Sequence, residues 1–179
     1  MTTSDARATD RVTELREAFD RSFAQAPSIE AAAVENLLAI RVGADPYALR
    51  MSEVSGLFAD KKVTQLPSSV SELSGIAGFR GAVLPVYDLA MLLGYPRAAS
   101  PRWLIVIAVT PVALAFDSFD GYLNVRDAAI VPEARPEERE RHVREVVQTV
   151  DLVRPLISLA SVLEWIRSRA SRDGLAEER

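Results

Sequence analysis

An all-β fold with helices only at its periphery is predicted by three features of this sequence. Its apolar runs are short and rich in Val, Ile, Leu and Phe. Clusters of Gly, Pro, Asp and Ser punctuate them at close intervals, the pattern of strands joined by tight turns. Helical periodicity is limited to the two ends of the chain. The 179 residues, 49% of them hydrophobic, suffice for one domain with a tail or for two small subdomains packed together.

Between Asp5 and Gln25, Val12, Leu15, Phe19 and Phe23 recur at spacings of three and four, which predicts an amphipathic helix ended by Pro27-Ser28. Residues 1–35 thus read as this helix and a linker. The apolar stripe serves self-packing, dimerisation or a partner; self-packing is the simplest use, because an isolated helix of this length is marginal until its apolar face is buried. Leu37–Val42 and Tyr47–Met51, separated by Gly43-Ala44-Asp45-Pro46, read as a β-hairpin. Val54–Phe58 and Val63–Leu66 read as strands, followed by a break at Pro67-Ser68-Ser69 and a helical turn.

Gly75, Gly78 and Gly81 permit backbone angles and close approaches that a side chain forbids. They place Arg80 on a tight turn before the strand Ala82–Val86, the fifth expected strand between Asn36 and Tyr87. Gly75, Gly78, Pro85, Asp88 and Asp117 are assigned to structural turns, the two carboxylates as acceptors of turn N–H groups at strand ends. Ala90–Leu93 reads as a short helix closed by Gly94, and Pro96–Pro101 as a connection.

The second half repeats the style. Trp103–Val109 and Val112–Phe116 flank Thr110-Pro111, and Gly121–Val125, Ala128–Val131, His142–Val150 and Leu152–Leu159 follow, with a charged helix or loop at Pro132–Arg141. A C-terminal helix over about 158–170 is predicted by Leu159, Val162, Leu163 and Ile166 on one face, with Ser161-Val162-Leu163-Glu164 as a capping box and residues 171–179 as a frayed tail. The two halves show no residue-level repeat.

Composition excludes several function classes. A net charge of −4, with 21 basic residues scattered among 25 acidic ones, disfavours nucleic acid as a partner. With no cysteine, disulfides, thiolate chemistry and cysteine metal sites are absent. His142 is the only histidine and has no Gly-x-Ser-x-Gly elbow to serve. Asp117, Asp120 and Asp127 lack the alternation and terminal Glu of a calcium loop. The glycines lead into a strand, where a phosphate loop leads into a helix. No cofactor and no metal is expected. The polar N-terminus has no signal-peptide core, and the apolar stretch Trp103–Phe116 is too short to span a bilayer, so a cytoplasmic protein without direct membrane insertion is expected.

Gly75 to Leu93 resembles the signature of the CheW-like chemotaxis coupling family, in which a glycine-containing turn and Arg-Gly precede a Pro-x-x-Asp-Leu strand. Here these are Arg80-Gly81 and Pro85-Val86-Tyr87-Asp88-Leu89. The likeness extends upstream through Gly43, Tyr47, Met51-Ser52-Glu53-Val54 and Val63-Thr64-Gln65-Leu66-Pro67, and downstream through Ala113 to Tyr122. It covers about residues 36–167. The resemblance implies two interlocked five-stranded SH3-like barrels, at about 36–95 and 100–160, in a domain of residues 36–170.

It also implies a non-enzymatic scaffold that joins methyl-accepting chemoreceptor tips to the regulatory domain of a CheA-type histidine kinase. CheW-like neighbours would complete the array, and membrane association would come only through the receptors. Arg80, Gly81, Phe79, Met51, Val54, Gly56 and Tyr122 are the expected partner contacts. Arg80 suits forked hydrogen bonding to a carboxylate, and the competing use is to tie its own turn to Asp88 or a carbonyl. Met51, Val54, Phe79 and Tyr122 equally suit a core.

This chain has Gly78 where the family usually has Asn, and Gly56 where an acidic residue is frequent. These departures motivate an alternative, an accessory protein that has lost one interface. A small β-barrel enzyme using Asp88 and Asp117 for acid–base work is the remaining alternative, without a recognisable catalytic constellation.

Overall fold

The computed structural model describes residues 34–97, 101–133, 141–149 and 153–174. The expected N-terminal helix, most of the charged segment at Pro132–Arg141 and the last five residues lie outside the described residues.

Val34–Val42 (β1) and Asp45–Arg50 (β2) form a hairpin with Val42 opposite Asp45. The turn is only Gly43-Ala44, so Pro46 lies within β2. Gly43 takes φ +61° at the first central position, where a two-residue hairpin turn favours glycine. A 3-10 turn at Met51–Glu53 carries the chain into Val54–Ala59 (β3). There follow Leu73–Phe79 (β4), Ala82–Asp88 (β5), the short helix Leu89–Leu92 (α1), Trp103–Ile107 (β6) and Ala113–Phe116 (β7). Ser118–Arg126 (β8), Ile130–Pro132 (β9), Val143–Gln148 (β10) and Val153–Ile157 (β11) precede the C-terminal helix Leu159–Gly174 (α2).

Two sheets result, with strand orders β8-β1-β2-β11-β10-β9 and β3-β6-β7-β5-β4. The first has six strands rather than the expected five. The division between sheets is also not the division of the chain near 95–100, because β1 and β2 pair with strands from the second half. Long-range pairing is the reason: β8 lies antiparallel against β1 from Val34↔Arg126 to Arg41↔Ser118, and β11 lies parallel to β2 at Leu156↔Ala48.

Several local expectations are corrected. Val63–Leu66 is not a strand, since only Thr64 pairs, across a single bridge to Ile76. The glycine-rich segment is itself β4, and Gly75, Gly78 and Pro85 lie inside strands rather than in turns. Gly75 sits at a register shift of β4 with φ +139°, and a Cβ there would stand 2.1 Å from the Thr64 carbonyl oxygen. Gly78 has no positive φ, and a Cβ added to it would meet no heavy atom within 4 Å, so its backbone makes no demand for glycine. Pro85 precedes Val86, where pairing of β5 with β7 begins; β5 has at that point one neighbour, which a residue lacking an N–H tolerates.

The main core lies between the sheets and takes alternate residues from each strand. Leu38 and Ile40 of β1 meet Leu114 and Phe116 of β7, together with Leu89 and Leu92 of α1 and Leu159, Val162, Leu163 and Ile166 of α2. The intervening residues enter satellite clusters: Leu37 joins Ala48, Val125 and Leu156, while Ala113 and Ala115 join Phe79, Leu84 and Val86. Burial on both faces explains why these strands read as nearly continuous apolar runs. Each fully buried leucine contributes about 1.5–3 kcal/mol relative to exposure.

α2 is capped earlier and ends later than expected. Ser158 Oγ accepts the Ser161 N–H at 3.3 Å, so the cap is Ser158, one helical turn before the anticipated box, and the helix continues through residues 171–174. The Ser161 hydroxyl is engaged by His142 Nδ1 at 2.9 Å, and Ser158 N–H donates to the His142 carbonyl at 2.7 Å. His142 is buried, and burial together with the neighbouring charges of Arg141 and Arg144 pushes its pKa down to about 4.

A lowered histidine pKa means that the unfolded chain takes up the proton first. Stability is therefore lost as pH falls from about 6.5 to about 4 and changes no further through this group below that. The expected loss is about 3 kcal/mol across that window. Urea unfolding at pH 7 and pH 4.5 should show His142→Gln with a correspondingly shallower pH dependence than the parent; equal slopes would remove His142 from the account.

Candidate partner-docking site

β3 and β8 are edge strands of different sheets. Together with the 3-10 turn between β2 and β3 they bound a groove of about 220 Å³. Leu38 and Leu57 are among its lining residues, with Met51, Val54, Gly56 and Tyr122. Four of the expected contact residues thus meet in one place. Met51 and Tyr122, 40% and 60% exposed, are among the large apolar side chains that the described residues leave in solvent, and they do so side by side in one groove. The Tyr122 ring is braced against Phe119 at 5.2 Å between centroids, and Phe119 against Trp103 at 5.3 Å, so the wall of the groove is stiff.

Gly56 stands at a register shift in β3. A Cβ there would approach the Phe58 ring to 2.7 Å, and that ring packs edge-on against Phe79 at 5.0 Å. Any side chain at Gly56 would therefore have to shift the Phe58 ring and disturb its pairing with Phe79. Leu38, Leu57 and Ser55 were not anticipated at this site. Leu38 reads as plain core in a strand pattern, and only the return of β8 beside β1 brings it under Tyr122.

The remaining expected contacts lie elsewhere. Arg80 and Gly81 are the two central residues of the β4–β5 hairpin, with φ +48° and +88° and Phe79 opposite Ala82. This is the geometry of a type I′ turn, for which Asn-Gly is the least strained sequence. Arg80 is exposed, and among the described residues it enters no ion pair. Phe79 is buried at 5% exposure in the satellite core, which corrects its assignment as a contact residue.

The two strand-end carboxylates bond backbone. Buried Asp88 caps α1 by accepting the N–H groups of Ala90 at 2.9 Å and Met91 at 3.3 Å. Asp117 accepts the Gly43 N–H at 2.6 Å, holding the β1–β2 turn. They serve different turns, each oriented by amides rather than toward a common substrate position.

A network absent from the sequence reading holds the sheet beneath these surfaces. Arg154 donates from Nη1 to the carbonyls of Ile40 and Tyr47, and from Nη2 to Asp120 Oδ2 at 2.8 Å. Arg41 Nε donates to Asp120 Oδ1 at 3.2 Å. Burial by itself would raise the Asp120 pKa, but the Arg154 hydrogen bond and the charges of Arg41 and Arg154 outweigh it and hold the carboxyl below its usual value. Among the described residues, no helix is long and apolar enough to cross a membrane.

Comparison with known proteins agrees with this architecture. The family described as CheW-like domain matches residues 36–167. A probable chemotaxis protein CheW of Rhizobium etli is 28% identical over 75% of this chain and 91% of its own. The chemotaxis protein CheW of Rhizobium meliloti is 32% identical over 54% of this chain and 64% of its own. The crystal structure of the scaffolding protein TtCheW from Thermoanaerobacter tengcongensis superimposes with a TM-score of 0.63 at 18% identity, covering 70% of this chain and 89% of that one. The chain belongs to the CheW-like family, the family of non-catalytic chemotaxis scaffold proteins.

Proposed function

We propose that this chain works in the cytoplasm as the coupler between a methyl-accepting chemoreceptor tip and the regulatory domain of a CheA-type histidine kinase, with other CheW-like chains as neighbours in the array. One observation carries the reading: Tyr122 of β8 shares a groove between two edge strands with Met51, Val54 and Gly56, which lie together in a segment far earlier in the sequence. An apolar groove with an exposed aromatic wall suits a partner's helix or strand, and unpaired strand edges add main-chain hydrogen bonds. The Arg80 turn lies in a different hairpin and supplies a second surface, as a coupler requires. Control of a kinase further requires unequal contact with its active and inactive states, since equal binding assembles without regulating.

Titration calorimetry at physiological salt, with the kinase regulatory domain and then a receptor-tip fragment from the same cell, tests the proposal. Binding to both is the expected result. Binding to one alone would favour the accessory reading that Gly56 and Gly78 motivate, and binding to neither would overturn the coupler assignment. Tyr122→Asp is expected to weaken one of the two partners by roughly tenfold or more, with the melting temperature lowered by only a few degrees, since Tyr122 is exposed and loses one ring pair, with Phe119.

A further inference from the structure

We propose that the corner formed by the β4 edge, the Arg80 turn and the lysines after β3 docks an extended acidic segment of a partner protein. The segment would add to β4 beside Gly78 and set its carboxylates against Lys61, Lys62 and Arg80. This rests on the adaptor reading above and names the chemistry of its second surface.

The edge comes first. β4 is the terminal strand of its sheet. Ile76 exchanges both backbone bonds with Thr64, at 2.8 and 2.9 Å, so its polar groups point away from β5. Strand alternation sends the N–H and C=O of Gly78 the same way. The pairing stops at the Thr64–Ile76 bridge, so these two groups have no backbone partner among the described residues. The space a side chain would fill at Gly78 is empty, and Val83, opposite it in register, is 65% exposed. An incoming strand would find main-chain donors and acceptors and one apolar contact, beside the segment that carries Lys61 and Lys62.

Charge selects the occupant. Lys61 and Lys62 are the only lysines in a chain of net charge −4, and they stand side by side. The Lys61 ammonium lies over the Phe58 and Phe79 rings, 5.5 and 5.9 Å from their centroids, which places it beside the base of the Arg80 turn. The adjacent carboxylate, Asp60, is occupied by Arg102 through two bonds of 3.0 and 3.1 Å. Among the described residues, Lys61, Lys62 and Arg80 therefore have no ion-pair partner. Arg80 also holds a left-handed backbone conformation that Asn would adopt with less strain, which fits retention of the cation for a contact.

The test is an NMR titration of the full chain with two synthetic peptides of equal length, one alternating Val with Glu and the other Val with Lys. The acidic peptide is expected to shift the amides of Gly78, Arg80 and Gly81, and to bind more weakly as salt is raised. The double variant Lys61→Glu/Lys62→Glu should weaken it by about tenfold or more. Gly78→Pro removes the outward N–H without touching a charge and should weaken it similarly, while an edge strand tolerates the proline. Absence of binding, equal binding of both peptides, or unchanged binding by Gly78→Pro would overturn the proposal. Tyr122→Asp should leave the acidic peptide bound, so failure here is distinguishable from failure of the groove.

Discussion

Gly75→Ala is expected to cost about 4 kcal/mol of stability and to lower the melting temperature by roughly 10 °C. Two causes add. An alanine at φ +139° is strained by about 1–3 kcal/mol. Its methyl group would also stand 2.1 Å from Thr64 O, 2.8 Å from Thr64 C and 2.9 Å from Gln65 Cα, all backbone atoms that move only together. Relief requires breaking the paired Thr64–Ile76 hydrogen bonds, a further loss of about 1 kcal/mol each.

Two neighbouring glycines serve as controls. Gly81→Ala keeps the strain, at φ +88°, but has open space, so about 1 kcal/mol is expected. Gly78→Ala has neither and should be near neutral. Thermal unfolding of the three variants checks the order; a Gly75→Ala protein as stable as Gly81→Ala would show that the contact with Thr64 is unimportant.

Arg154→Met is the second large effect, with an expected loss of about 3 kcal/mol. The arginine side chain is 11% exposed and satisfies two strand carbonyls and one carboxylate oxygen at once. Methionine fills similar space but removes all three of these hydrogen bonds from the buried end of the sheet. Arg41 stays beside Asp120, but its side chain is 45% exposed and compensates little. The Asp120 pKa is depressed, so its share of stability is present above the unfolded carboxylate pKa and is lost as pH falls through the lower folded value. The gap between parent and variant in urea unfolding should accordingly narrow on strong acidification. A pH-independent gap would assign the cost to the carbonyl bonds and packing rather than to Asp120.

The fold was legible where local pattern and tertiary demand coincide. The hairpin around Gly43, the short helix closed off before Gly94 and the C-terminal helix follow from turn chemistry and apolar spacing that need no distant partner. Local pattern misled at β4, where three glycines suggested turns. There the chain runs extended, and Gly75 answers to the Thr64 carbonyl that passes against it, a neighbour from a separate segment that local pattern does not reveal. It misled likewise at Val63–Leu66, whose composition is strand-like but which finds one pairing partner.

By itself the sequence determined the fold class, the family and the residue types available for contact, because these depend on composition, periodicity and a motif of neighbouring residues. Only the tertiary structure decided which of those residues reach a partner. Phe79 and Arg80 are adjacent, yet one side chain enters the core and the other enters solvent, because strand pleating ends at a type I′ turn. Tyr122 joins Met51, Val54 and Gly56 in one surface only because β8 returns across the chain to pair with β1. Pairing between strands that are not joined by a hairpin carries no local signature, and the groove and the Arg154 network are its products.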